Sequence, residues 1–308
     1  MESSTLSTSK TGAQTSGRPP AAVELMPEGV LAAALPARDA SPVYAFVPLA
    51  SGTLAPGIEE ANLRAPEAVS QAIKSALDDV APRSRHVTLV LPDTAARVFV
   101  LDFDSLPAKP AEVIAVLRFR LRKMVPFDVE KAGVSYQVLS QDKAECRVLI
   151  AVLPGSILEE YENAVRTAGF EPGAVLPSGL AALAALETDA PALTACFNGI
   201  SLTTTITSGS DLLLYRTLEL PSDPAQRLAD VQRDIAVAAA YFEDKLARPA
   251  QQLYYGGVGG ADEFARWVQL NEPEIKVVEL APRPTTGAAT PLGKLNFAGV
   301  TGALAGAA

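Results

Sequence analysis

Histidine is nearly absent: His86 is the sole example in 308 residues, beside two cysteines, three methionines and one tryptophan. A histidine-rich zinc or iron site is excluded, and a Ser-His-Asp triad would rest on one residue flanked by Arg85 and Val87. Cys146 and Cys196 sit in apolar strand-like runs with no CxxC or Cys/His spacing, as small buried hydrophobes do in a reducing compartment. Positive charge is also scarce. Twenty-six Lys and Arg stand against 35 Asp and Glu, and the net charge of −9 argues against a phosphate-backbone binder and so against nucleic acid. No stretch approaches about eighteen uninterrupted apolar residues, so no membrane span is expected.

What is present is a chain that is 48% hydrophobic, enough to bury a sizeable core. The opening "MESSTLSTSKTGAQTSGRPP" is polar and reads as a disordered, dispensable tail over residues 1–20. Then come "AAVELMPEGVLAAAL", two apolar runs around a Pro-Glu-Gly hairpin turn, and a third strand, "PVYAFVPL". A helix follows from about Pro66 to Val80, with Val69, Ile73, Ala76 and Leu77 at helical spacing, and "HVTLVLPD" returns as a strand.

The block from Ala96 to Pro154 reads strand, helix, strand, strand and has the character of an inserted subdomain. Its helix starts near Pro110, carries Glu112 in the first turn and Arg122 and Lys123 in the last, and has Val113, Leu117, Leu121 and Met124 as its apolar stripe. "SILEEYENAVRTAGF" makes a helix ending at Gly169, and "PSGLAALAALE" makes another. From Leu193 the first layout begins again with two strands, a long helix and the strand "QQLYYGGVGG".

Three constellations carry possible chemistry. Gly256, Gly257, Gly259 and Gly260 follow a short strand, where glycines either admit a phosphate or make a tight turn. Asp102 and Asp104 share one strand face, without a histidine or metal-ligand cluster beside them, which suits a solvent face. Arg118, Arg120, Arg122 and Lys123 form a basic run in an acidic chain. It suits a solvated helix face, acidic groups on a partner peptide, or anionic lipid headgroups.

The stretch from "VLPDTAARVFVLDFDSLP" through "RFRLRKMVPFDVEKAGVSYQVL", and then "VLPGSILEEYENAVRTAGFEPGAVLPSGLAALAAL" and "YYGGVGG", resembles the PilM family of actin-like type IV pilus assembly proteins. The resemblance implies an α/β, FtsA-like fold: two ribonuclease-H-like domains with a small inserted α+β subdomain. The expected division is residues 21–92 and 156–190 for the first domain, 93–155 for the insert and 191–308 for the second domain.

The family also implies ATP and Mg²⁺ held by two phosphate turns and a glycine-rich adenosine turn. Placed on those motifs, the cofactor positions are Glu24, Gly199, Thr203, Gly256, Gly257 and Gly259. The matches are degraded. Met26 and Pro27 replace the Gly and Ser of the first turn, where Pro27 has no N–H to give, and Phe197 replaces the acidic residue of the second. A pseudo-ATPase without bound cofactor is therefore expected: a cytoplasmic scaffold, peripheral at the inner membrane. It would bind the N-terminal segment of a PilN-type membrane protein through Arg118, Phe119, Arg122 and Lys123, with self-association open. The alternative is an ATP-binding actin-like switch of pilus or secretion assembly.

Overall fold

The computed structural model describes residues 18–37, 41–142, 145–269, 275–283 and 295–305, so most of the expected N-terminal tail lies outside the described residues. The first sheet holds β1 (Ala21–Met26), β2 (Gly29–Ala34), β3 (Val43–Pro48), β4 (His86–Leu91) and β8 (Glu171–Pro177), ordered β3-β2-β1-β4-β8. The first three strands form an antiparallel meander, and β4 and β8 run parallel to β1. This is the ribonuclease-H-like order.

All six residues of β1 are buried, because helices cover both faces of the sheet. Ala21, Val23 and Leu25 face α1 (Pro66–Val80) and α3 (Gly155–Thr167), whereas Ala22 and Met26 face α7 (Ala298–Leu304). Glu24 alternates onto that second face. It is a carboxylate inside an otherwise apolar strand.

The insert contains β5 (Arg97–Phe103), α2 (Pro110–Leu121), β6 (Gly133–Gln141) and β7 (Cys146–Leu153) in an antiparallel sheet of order β5-β7-β6. Val113, Leu117 and Leu121 of α2 cover alternate residues of β7 from Cys146 to Val152. The helix stops at Leu121. Arg122 is its C-cap, and Met124, expected in the apolar stripe, is 38% exposed. Asp102 pairs with Arg147 across the sheet at 2.9 Å.

The second sheet repeats the first: β9 (Ala192–Phe197), β10 (Ser201–Ser208), β11 (Asp211–Glu219), β12 (Gln252–Gly257) and β13 (Lys276–Glu279), ordered β11-β10-β9-β12-β13. The helices α5 (Pro224–Leu246) and α6 (Ala261–Val268) pack on one face. Asp223 caps α5 by accepting from the Gln226 N–H at 2.8 Å, with Pro224 at the first helical position. The chain then packs back against the first sheet. Helix α7 packs on β1, β2 and α4 (Ser178–Leu183), so closely that a Cβ on Gly302 would overlap the Ala181 carbonyl.

Candidate functional site

The turns that would hold a nucleotide all lie where the two sheets meet, and each is occupied by groups of the protein itself. Between β1 and β2 the turn is only Pro27-Glu28, with Met26 paired to Gly29 and the Met26 side chain buried toward α7. That leaves no loop of free N–H groups. Glu28 reaches across so that its Oε1 lies 3.9 Å from where a Cβ on Gly199 would stand, and partial burial raises its pKa.

Gly199 has φ of 88°, in the second turn. There the Asn198 Oδ1 accepts from the backbone N–H groups of Ile200 (3.2 Å) and Ser201 (2.8 Å) and from the Ser201 hydroxyl (3.1 Å). A side-chain oxygen thus already takes the donors that a phosphate would need. Phe197 turns toward α6 instead of the cleft. Its ring centroid lies 5.3 Å from Trp267 and 6.1 Å from Phe264.

The glycine bend has packing reasons at every position. Gly256 faces the C-terminal segment, and a Cβ there would come within 2.8 Å of the Ala298 Cβ. A Cβ on Gly257 would overlap the Tyr255 hydroxyl, which donates to the Val258 carbonyl at 2.9 Å. Gly259 and Gly260 have φ of 81° and 85°, the left-handed region that glycine enters freely. At the start of α6 the Ala261 N–H is taken by Glu279 at 2.8 Å, and Arg283 donates to the Gly257 carbonyl at 2.6 Å. These residues do not fit Mg²⁺ and a triphosphate.

Glu24 and Thr203 belong to a different construction. The hub is Asp93, in the short 3₁₀ turn after β4, buried and absent from the sequence-level candidates. It accepts from the Gly179 N–H (2.9 Å), the Thr203 hydroxyl (2.9 Å) and the Tyr215 hydroxyl (3.2 Å), which joins the end of β4 to α4, β10 and β11. Beside it Ser178 donates to Glu24 Oε1 at 2.6 Å, while Gly299 of α7 closes over Glu24 so that a Cβ would stand 2.5 Å from Oε2.

Desolvation raises the Glu24 pKa to about 7 against the lowering hydrogen bond from Ser178, and the Asp93 charge adds to the rise. Desolvation raises Asp93 too, opposed by its three hydrogen bonds. A Pro-Asp step at a strand end reads locally as a turn. Its partners at 179, 203 and 215 are visible only in three dimensions. Among the described residues no group of three metal-ligating side chains forms.

A second concavity, of about 590 Å³, opens between the first domain and the insert. Its apolar wall includes Ile58, Ala61, Phe127, Pro154 and Ile157, and its charged groups are Glu59, Glu60, Asp128, Glu160 and Lys131. Glu160 accepts from the Asn62 N–H at 2.9 Å and the Leu63 N–H at 2.5 Å, holding the loop that forms one wall.

The residues singled out from sequence for partner binding are not in this lining. Arg118 donates to the Ala132 carbonyl at 3.2 Å, and Arg122 pairs with Glu130 at 2.6 Å. Phe119 and Lys123 point outward, with Phe119 72% exposed. The concavity is mostly acidic, with four carboxylates to one ammonium.

Two sheets of identical strand order, hinged through Asp93 and crossed by α4 and α7, with a small α+β insert after β4, make this an actin-like α/β protein. The chain is similar to a chain of the PilM-PilN type IV pilus biogenesis complex. The TM-score is 0.71 at 19% identity, covering 94% of this chain and 98% of that one. It is similar also to the cytoplasmic domain of EpsL, an inner-membrane component of the type II secretion system of Vibrio cholerae. There the TM-score is 0.51 at 13% identity, with 92% of each chain covered. No protein-family profile and no curated protein matches the sequence.

Proposed function

We propose that this protein is a scaffold of type IV pilus or related secretion assembly, held at the cytoplasmic face of the inner membrane by a membrane-anchored partner. The partner is of the PilN type, and its cytoplasmic segment lies in the cleft between the first domain and the insert. The observation that carries this reading is the cleft itself: an apolar floor of Phe127, Pro154 and Ile157 under a mostly acidic rim. An extended peptide with apolar anchors and a basic residue suits it, the anchors giving affinity by burial and the charge giving register. Glu59, which has no ion-pair partner among the described residues, is the group best placed to meet that basic residue.

The occupied phosphate turns support a role without ATP hydrolysis. Calorimetric titration with the N-terminal cytoplasmic peptide of a PilN-type protein tests the scaffold reading. Glu59→Lys with Asp128→Lys should weaken binding at least about tenfold at low salt, and Arg118→Glu should weaken it less. Undiminished binding in the double variant would refute the cleft assignment. Stoichiometric adenine nucleotide in freshly purified protein would restore the nucleotide-switch reading.

A further inference from the structure

Helix α2 is apolar on two opposite sides, and only one of them is covered. Val113, Leu117 and Leu121 are buried against the insert's sheet. On the outer side, at helical spacing, Val116 is 36% and Phe119 72% exposed, next to exposed Arg120, and exposed Lys123 follows in the turn just past the C-cap. An exposed phenyl ring among free cations is not explained by folding: Arg120 and Lys123 have no ion-pair or hydrogen-bond partner among the described residues, whereas Arg118 and Arg122 share Glu130.

The local charge balance is the reverse of the whole. Residues 105–131 hold six Lys and Arg against three Asp and Glu, in a chain of net charge −9. An acidic protein is repelled from anionic lipid everywhere except where such a patch faces it.

We propose that the outer face of α2 docks on an anionic membrane surface, Phe119 and Val116 entering the headgroup–acyl boundary while Arg120 and Lys123 lie against lipid phosphates. The chemistry fits each group. A phenyl ring partitions favourably into that boundary, and each cation near an anionic leaflet adds attraction that salt screens. The position fits too. Glu130 ties α2 to the turn carrying Phe127, Asp128 and Lys131, which line the proposed peptide cleft, so the outer face of α2 and the cleft belong to one small subdomain. One ring and two free cations make a weak, reversible contact that gains from tethering by a partner.

Co-sedimentation of the whole chain with phosphatidylglycerol vesicles and with phosphatidylcholine vesicles, at low and at physiological salt, tests this without any partner peptide. Binding should be confined to the anionic vesicles and fall with salt. Arg120→Glu with Lys123→Glu should lower it at least about tenfold. Phe119→Trp should give a blue-shifted emission with anionic vesicles that the same substitution lacks with neutral ones.

Unchanged melting temperatures would confirm that the exposed substitutions leave folding intact. The proposal is overturned if the wild type fails to bind anionic vesicles at low salt, if neutral vesicles bind as well, or if charge reversal leaves binding unchanged. It is overturned equally if Phe119→Ala abolishes a concentration-dependent dimer while vesicle binding persists, since the face would then belong to a second copy. These outcomes do not depend on the peptide titration and leave the cleft reading standing or falling separately.

Discussion

Asp93 of the first domain accepts the hydroxyl hydrogen of Thr203 of the second at 2.9 Å, although 110 residues separate them. With the Gly179 N–H and the Tyr215 hydroxyl on the same carboxylate, one side chain links both sheets. Asp93→Ala leaves the Gly179 N–H and the Tyr215 hydroxyl without this acceptor, while the Thr203 hydroxyl keeps Thr217 at 2.9 Å, and should lower stability by about 2 kcal/mol or more, measured as a shift in the urea midpoint. Asp93→Asn keeps an acceptor oxygen and should cost less. Equal midpoints for wild type and Asp93→Ala would remove the hub from this account.

Glu24 gives the protein a pH dependence of definite sign. Its folded-state pKa of about 7 lies above the ordinary 4.5 because burial disfavours the charge and Asp93 adds to the repulsion. The native state therefore holds this proton more tightly than the unfolded chain. Its contribution is fully present below about pH 4.5 and lost as the pH rises through 7. Glu24→Gln should raise the melting temperature at pH 8, leave it nearly unchanged at pH 5, and flatten the profile between, as scanning calorimetry would record. A parallel shift of the whole curve would mean that Glu24 does not titrate in this window.

Aligned on the second phosphate turn that the resemblance implies, Phe197 takes the place of the acidic residue. Restoring the acid should not restore a metal site, since the side chain would enter the aromatic group with Phe264 and Trp267. Phe197→Asp should destabilise by about 3 kcal/mol and red-shift the emission of Trp267, the chain's only tryptophan. Tight Mg²⁺-dependent ATP binding in that variant would show that the cradle needs nothing more than the acid.

The layout of both halves was legible because it is written in short-range pattern. Runs such as "AAVELM", buried on both faces, announce internal strands, and Pro66, Pro110 and Pro224 each begin a helix near the place expected. The departures in the phosphate turns were equally legible, since Pro27 lacks an N–H wherever it sits. What was hidden depends on distance. Arg118 and Arg122 share a helix face by spacing, but spacing does not say that both turn to Glu130 or that a concavity opens nearby among Phe127, Asp128 and Lys131. Asp93 looked like one turn residue among many, and the small residues of α7 gave no hint of which sheet they cover.

The placement of α7 has a consequence for synthesis. The face of the first sheet that carries Ala22, Glu24 and Met26 is covered by residues 298–304, which leave the ribosome only after the insert and the second sheet. Until they emerge, this face of the N-terminal half stays bare, with an ionisable Glu24 in water where the finished protein buries it. The first sheet is thus translated before the second but covered after it. A ribosome-stalled chain ending before Ala298 should remain protease-sensitive in β1 and β2 while the insert is already resistant, and release of the full chain should close both together.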